Sequence, residues 1–199
     1  MRRRTGFAHT IGAFARAALV SFGAFAALAA LAALTARPVD AQLSLSQSVK
    51  DAQGRFTISF PVDWEVVTRP QGMLAMIGAG PASVGTRPSV NVVVEALPNP
   101  MPAKDYAVAA DRLARTAFHN YTVIQESSAA VQGRPAFYRY LTWETNTGVT
   151  LYQLQVFLTE GQTGFVVTGS TINDHDRILQ DMPLITQIIQ TFHVVTAGN

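Results

Sequence analysis

Asp174-His175-Asp176 sets an imidazole between two carboxylates. These are metal-ligating residue types, but a metal site takes three or four converging ligands. The other histidines of the main chain body, His119 and His193, are distant in sequence. Acids at a helix start are explained by the helix dipole, so the segment reads as a solvated helix start and no metal is assigned. A nucleophilic serine needs a base and an orienting acid. Ser83 and Ser170 both lack the flanking glycine pair of a nucleophile elbow. Glu126, Glu144 and Glu160 would have to converge in space to act as paired carboxylates, and isolated acids on strands usually face solvent. The segment GAGPASVGTRPS, residues 78–89, is rich in glycine. A phosphate cradle would need a lysine before Ser or Thr and a helix after it. Here there is no lysine and a strand pattern follows, so the segment reads as a strand connection, with Arg87 placed to touch a partner. No catalytic, cofactor or metal residue is assigned, and the expectation is a protein that is not an enzyme.

The remaining chemistry is aromatic. Tyr138, Tyr140, Trp143, Tyr152 and Phe157 fall on two strand patterns joined by the turn Asn146-Thr147-Gly148. Tyrosine and tryptophan suit surfaces with one dry end and one wet end. If part of this sheet face is uncovered, it is a docking surface. The alternative is packing beneath a helix, because aromatic residues also favour strands for structural reasons. Tyr138, Tyr140 and Tyr152, together with Arg87, are the candidate partner-binding residues.

The elements that must position them follow from periodicity. Phe56, Ile58 and Phe60 alternate with polar residues, which predicts a strand over 55–60 ended by Pro61. Further strands are predicted over 64–68, 72–77 and 90–97, the last with Val90, Val92, Val94 and Ala96 on one face. Tyr106, Ala110, Leu113 and Ala117 form one helical stripe, predicting a helix over 102–119 with Pro102 in its first turn. Strands follow over 122–127, 136–144, 150–158 and 165–171. Their short connections make them antiparallel. Met182, Ile185, Ile188, Ile189 and Phe192 make a second stripe. Because proline breaks a helix interior, this helix is expected to start near Asp181, with Asp181 as N-cap and Pro183 in the first turn. Residues 42–50 read as a polar lead-in. The order strands, helix, strands, helix is α+β: an antiparallel sheet of six to seven strands flanked by helices.

The first 41 residues differ from the rest. Arg2, Arg3 and Arg4 precede an uncharged apolar run over 17–36, and Val39-Asp40-Ala41 offers small residues for cleavage. This is the layout of a secretory signal peptide cut near Ala41, although the run is also long enough for an uncleaved anchor. Five of the fifteen basic residues and one of the thirteen acids lie in it, leaving ten basic and twelve acidic residues and a net charge of −2. No basic patch remains to argue for nucleic acid or acidic lipid. The chain has no cysteine, which excludes a disulfide framework, a thiolate metal site and a cysteine-linked lipid. The expected organisation is a signal peptide over 1–41, the lead-in, one domain over 51–195 and a tail over 196–199.

Several segments, taken in order, resemble one family. GRFTISFPVDWEV resembles the glycine–phenylalanine–strand–proline–tryptophan opening of PsbP-like domains, the family of the photosystem II extrinsic subunit and its bacterial relatives. PSVNVVVEAL resembles its central strand, and DYAVAADRLART stands where its first long helix would be. VQGRPAFYRYLTWE and IIQTFHV resemble its glycine–x–proline–alanine strand and its closing helix. The resemblance implies an α–β–α sandwich without known catalysis, among relatives that are accessory or assembly factors or exported lipoproteins. This chain departs from them in lacking a lipidation cysteine and a basic N-terminal arm, so neither the lipid anchor nor the photosystem role carries over. Together these readings predict an exported, non-catalytic accessory or assembly factor that binds a protein partner in the cell envelope. The alternative is a small-molecule or lipid carrier of the periplasm or cell surface, with a cavity lined by Met73, Met76 and Phe165.

Overall fold

A computed structural model describes residues 44–82 and 86–196; the segment expected to be a signal peptide, Ser83 and residues 197–199 of the expected tail lie outside the described residues. Ten strands and two helices follow one another in that span. The strands are β1 (Gln47–Lys50), β2 (Phe56–Phe60), β3 (Glu65–Gln71), β4 (Leu74–Ala79), β5 (Ser89–Ala96), β6 (His119–Val131), β7 (Arg134–Glu144), β8 (Thr150–Glu160), β9 (Thr163–Ile172) and β10 (His193–Val194). Helix α1 (Ala103–Ala117) lies between β5 and β6, and α2 (His175–Gln190) lies between β9 and β10. Seven strands form one sheet in the order β3-β4-β5-β9-β8-β7-β6, and β1-β2-β10 form a small second sheet. Every pairing is antiparallel. The expected α+β class holds.

Period-two alternation divides the large sheet into two working faces. On one face Val90, Val92, Val94, Leu154, Val156, Leu158, Phe165 and Val167 join the α2 stripe Ile185, Ile188, Ile189 and the following Phe192 in the main core. β2 closes this core, with Phe56, Ile58 and Phe60 turned inward and the intervening residues outward. On the other face α1 lays Tyr106 and Ala107 over Phe137, Phe157 and Val166. Met76 and Phe165, expected to line a carrier's cavity, are fully buried in the main core, where the Phe165 ring meets Phe56 and Phe192.

Two glycines permit this packing. A Cβ at Gly169 on β9 would stand 2.1 Å from Ile185 Cγ2, so only hydrogen there lets α2 approach the sheet. A Cβ at Gly78 would stand 2.3 Å from the Phe60 ring. Gly78 therefore serves close packing rather than a phosphate cradle.

The structure corrects three boundaries. α2 begins at His175, not near Asp181, with Asp174 as N-cap accepting from the Arg177 N–H at 3.1 Å. Pro183 sits inside the helix, where it supplies no N–H to the Leu179 carbonyl. Leu179 is exposed, so water reaches that side of the helix and the missing bond is tolerated. Asp181 is buried instead of capping: it accepts from the Thr171 hydroxyl and pairs with Arg177 at 2.8 Å. The polar lead-in contains β1, recruited by pairing with β2 from Gln47↔Phe60 to Lys50↔Thr57. β6 runs past its expected end at Ser127, through Ser128, Ala129 and Ala130, to a tight turn in which Gln132 and Gly133 both take positive φ. No helix among the described residues is long and apolar enough to cross a membrane.

Candidate functional site

α2 packs chiefly on β9, with lesser contact to β5 and β2. Its far flank therefore stands beside β8 and β7 rather than over them. An apolar groove of about 370 Å³ follows that flank. Tyr140 of β7 and Tyr152 of β8 form its floor, with ring centroids 6.1 Å apart and planes at 41°. Ile178, Leu179, Met182, Pro183 and Thr186 form its helical wall, as residues one turn apart on a helix must share a face. Both tyrosines are half-buried, and Leu179 is 63% exposed. Burial, and then the neighbouring Tyr140, raise the Tyr152 phenol above its ordinary range. The groove thus combines desolvated rings with an exposed aliphatic side chain and carries no charged side chain in its lining.

The predicted site residues do not all gather here. Tyr138, expected as a docking tyrosine, is only 7% exposed. Its hydroxyl accepts from Gln190 Nε2 at 2.8 Å and lies 3.4 Å from the Ala130 carbonyl, tying the end of α2 to the sheet. Burial raises its phenol as well. Trp143 and Phe157 lie on the opposite face, at odd positions where Tyr138, Tyr140 and Tyr152 are even. Phe157 meets Tyr106 edge-on at 5.5 Å, and Trp143 packs on Phe118 at 4.5 Å. Arg87 is drawn inward: it pairs with Glu65 of β3 at 2.9 Å and donates to the Gly80 and Ala79 carbonyls. That fastens the β4–β5 connection to the edge strand.

Sequence reasoning missed a buried polar cluster beneath α1. Arg139 is 2% exposed, with its guanidinium 2.7 Å from Glu126, 3.1 Å from the Ala107 carbonyl and 5.4 Å above the Phe157 ring. Asp111 lies 3.8 Å away and itself takes bonds from Arg115 and Tyr121. Burial pushes the Tyr121 phenol up to about 12, against the opposing charge of Arg139. Glu95 of β5 is also under this helix; burial raises its carboxyl to about 7, opposed by a hydrogen bond from Tyr106. An arginine and a glutamate at alternating strand positions ordinarily mark the solvent side, so covering that side with a helix removes the usual signal.

The other candidates stay apart. Ser170 is buried, its hydroxyl bonded to Gln153 Nε2 at 2.9 Å rather than to a histidine. Glu144 bonds Asn120, and Glu160 pairs with Arg134. Among the described residues, no group of three or more His, Asp or Glu side chains is placed to hold a metal ion.

A seven-stranded antiparallel sheet with a helix on each face and a small sheet closing the core is a PsbP-like fold. Among solved structures, cyanobacterial PsbP (CyanoP) from Synechocystis sp. PCC 6803 matches with a TM-score of 0.57 at 15% identity, over 81% of this chain and 99% of that one. LpqN of Mycobacterium tuberculosis, involved in cell envelope biogenesis, matches with 0.53 at 16% identity, over 75% and 90%. The Saccharomyces cerevisiae Ran-binding protein Mog1p matches with 0.51 at 13% identity, over 75% and 95%. No family model matches the sequence, and no curated protein matches it. At these identities the likeness is one of fold.

Proposed function

We propose that this chain is an exported, non-catalytic accessory or assembly factor, and that the groove beside α2 receives an apolar side chain of a protein partner in the cell envelope. The observation that carries this reading is the exposed Leu179 set against the half-buried pair Tyr140 and Tyr152. Interface anchors are typically aromatic and aliphatic groups around a desolvated centre. The fold supports the reading by analogy, since LpqN is involved in cell envelope biogenesis and Mog1p binds Ran. Of the residues singled out from sequence, Tyr140 and Tyr152 make the contact and Tyr138 holds α2 in position behind them. Arg87 belongs to the other side of the sheet and would serve only a second contact there.

The test is recovery of partners from envelope extract by the native protein and by Leu179→Glu. The charge falls on an exposed position, so folding is retained while an apolar partner group is rejected. A specific protein recovered by the native chain and lost with the variant, at equal thermal stability, is the expected result. Equal recovery by both would remove the groove from the function.

A further inference from the structure

The large sheet has two outer strands, and they are protected differently. β3 carries Pro70 and a register shift between Thr68 and Gln71, both of which discourage a further strand from pairing. β6 has shifts between His119 and Thr122 and between Val123 and Gln125. Beyond them, from Gln125 to Val131, its pairing with β7 is regular, and β6 itself contains no proline. Among the described residues no strand lies on its outer side. Residues 125–130 are exposed and, apart from Glu126, uncharged. Glu126 is already occupied by the buried Arg139 at 2.7 Å. A regular edge whose one charge is already paired and whose centre is serine and alanine is a template for strand addition.

The sequence of that edge is compatible with its own reverse. Ser128 is the midpoint of the regular run 125–131. Antiparallel pairing of two β6 strands about Ser128 sets Ser127 opposite Ala129, Glu126 opposite Ala130 and Gln125 opposite Val131. No charge meets its own kind, and the central pair is serine on serine. Like charges directly opposite would disfavour such a pair, and this register avoids them. We propose that the protein pairs with a second copy of itself through β6, antiparallel about a two-fold axis at Ser128, which joins two seven-stranded sheets into one continuous sheet. The interface is isologous, the commonest kind in homodimers. It lies outside the α2 groove and does not depend on the reading given to that groove.

The absence of cysteine supplies the test. Directly opposed residues of antiparallel strands have Cα atoms about 4.5–5.5 Å apart, within the span a disulfide bridges. Ser128→Cys in the full chain is expected to form a disulfide-linked dimer under mild oxidation. Ile124→Cys, exposed on the same strand, places its two sulfurs about 27 Å apart in this register and should cross-link at least about tenfold more slowly. Light scattering should give a dimer for the native chain and a monomer for Ser128→Glu, which sets two carboxylates against each other at the axis. Cross-linking of Ile124→Cys as fast as Ser128→Cys would overturn the proposal. So would a native monomer at every concentration, or a Ser128→Glu dimer. A monomer whose β6 amides gain exchange protection only when another protein is added would assign the edge to a foreign strand and refute self-pairing.

Discussion

Glu95→Gln isolates the cost of one buried carboxyl. Glu95 is 8% exposed on β5, opposite Gly164 of β9 and beneath Tyr106 of α1. Burial raises its carboxyl from an ordinary 4.5 to about 7. Below pH 4.5 the folded and unfolded chains both carry the proton, and the group costs nothing. Between 4.5 and about 7 the folded chain keeps a proton that the unfolded chain has released, so stability falls as pH rises. Above about 7 the loss is complete. At about 1.4 kcal/mol per pH unit, the displacement from 4.5 to about 7 corresponds to about 3 kcal/mol. Local relaxation that lets water in makes this a ceiling. Glutamine keeps the shape and an acceptor for Tyr106 but never ionises. Urea unfolding at pH 4.5 and pH 8 should therefore find the variant within about 1 kcal/mol of native in acid and about 2–3 kcal/mol more stable in base. Parallel pH profiles for the two proteins would refute the burial argument.

Arg139→Ala should cost about 2–4 kcal/mol, read from the urea midpoint, because it empties the space above the Phe157 ring and takes the donor from the Ala107 carbonyl, while the exposed Glu126 regains water. Gly169→Ala should lower stability by about 1–3 kcal/mol, since the methyl would meet Ile185 head-on and force α2 off β9; an unchanged melting temperature would contradict the packing described. Leu179→Glu should change stability by no more than about 0.5 kcal/mol, as expected of a surface site, and its effect should appear in partner recovery alone.

Much of this architecture is legible in the residue pattern. The alternation of Phe56, Ile58 and Phe60, and of Val90, Val92 and Val94, announces strands with one face in the core. The Met182–Phe192 stripe announces a helix. The start of that helix is misread because Pro183 is a breaker by local rules, while tertiary packing of Met182, Ile185, Ile188 and Ile189 holds the helix together across it. The end of β6 is missed because Ser128, Ala129 and Ala130 have little strand preference of their own; pairing with β7 and the tight turn at Gln132-Gly133 impose it. The aromatic patch is half legible. Its five residues share two strands, but their even and odd positions already assign Trp143 and Phe157 to the other face. Burial of Tyr138 is not legible, because the bond from Gln190 comes from 52 residues away. Nor is Arg139, which occupies a polar position on a face that α1 happens to cover.

Photocross-linking from position 179 tests the central claim most directly. With a photoreactive side chain in place of Leu179 in cells making the full chain, irradiation should yield one discrete protein adduct. The same group in place of Val62, a still more open position on the β2–β3 connection, should give none. No adduct from 179, or the same adducts from both positions, would contradict a docking groove beside α2.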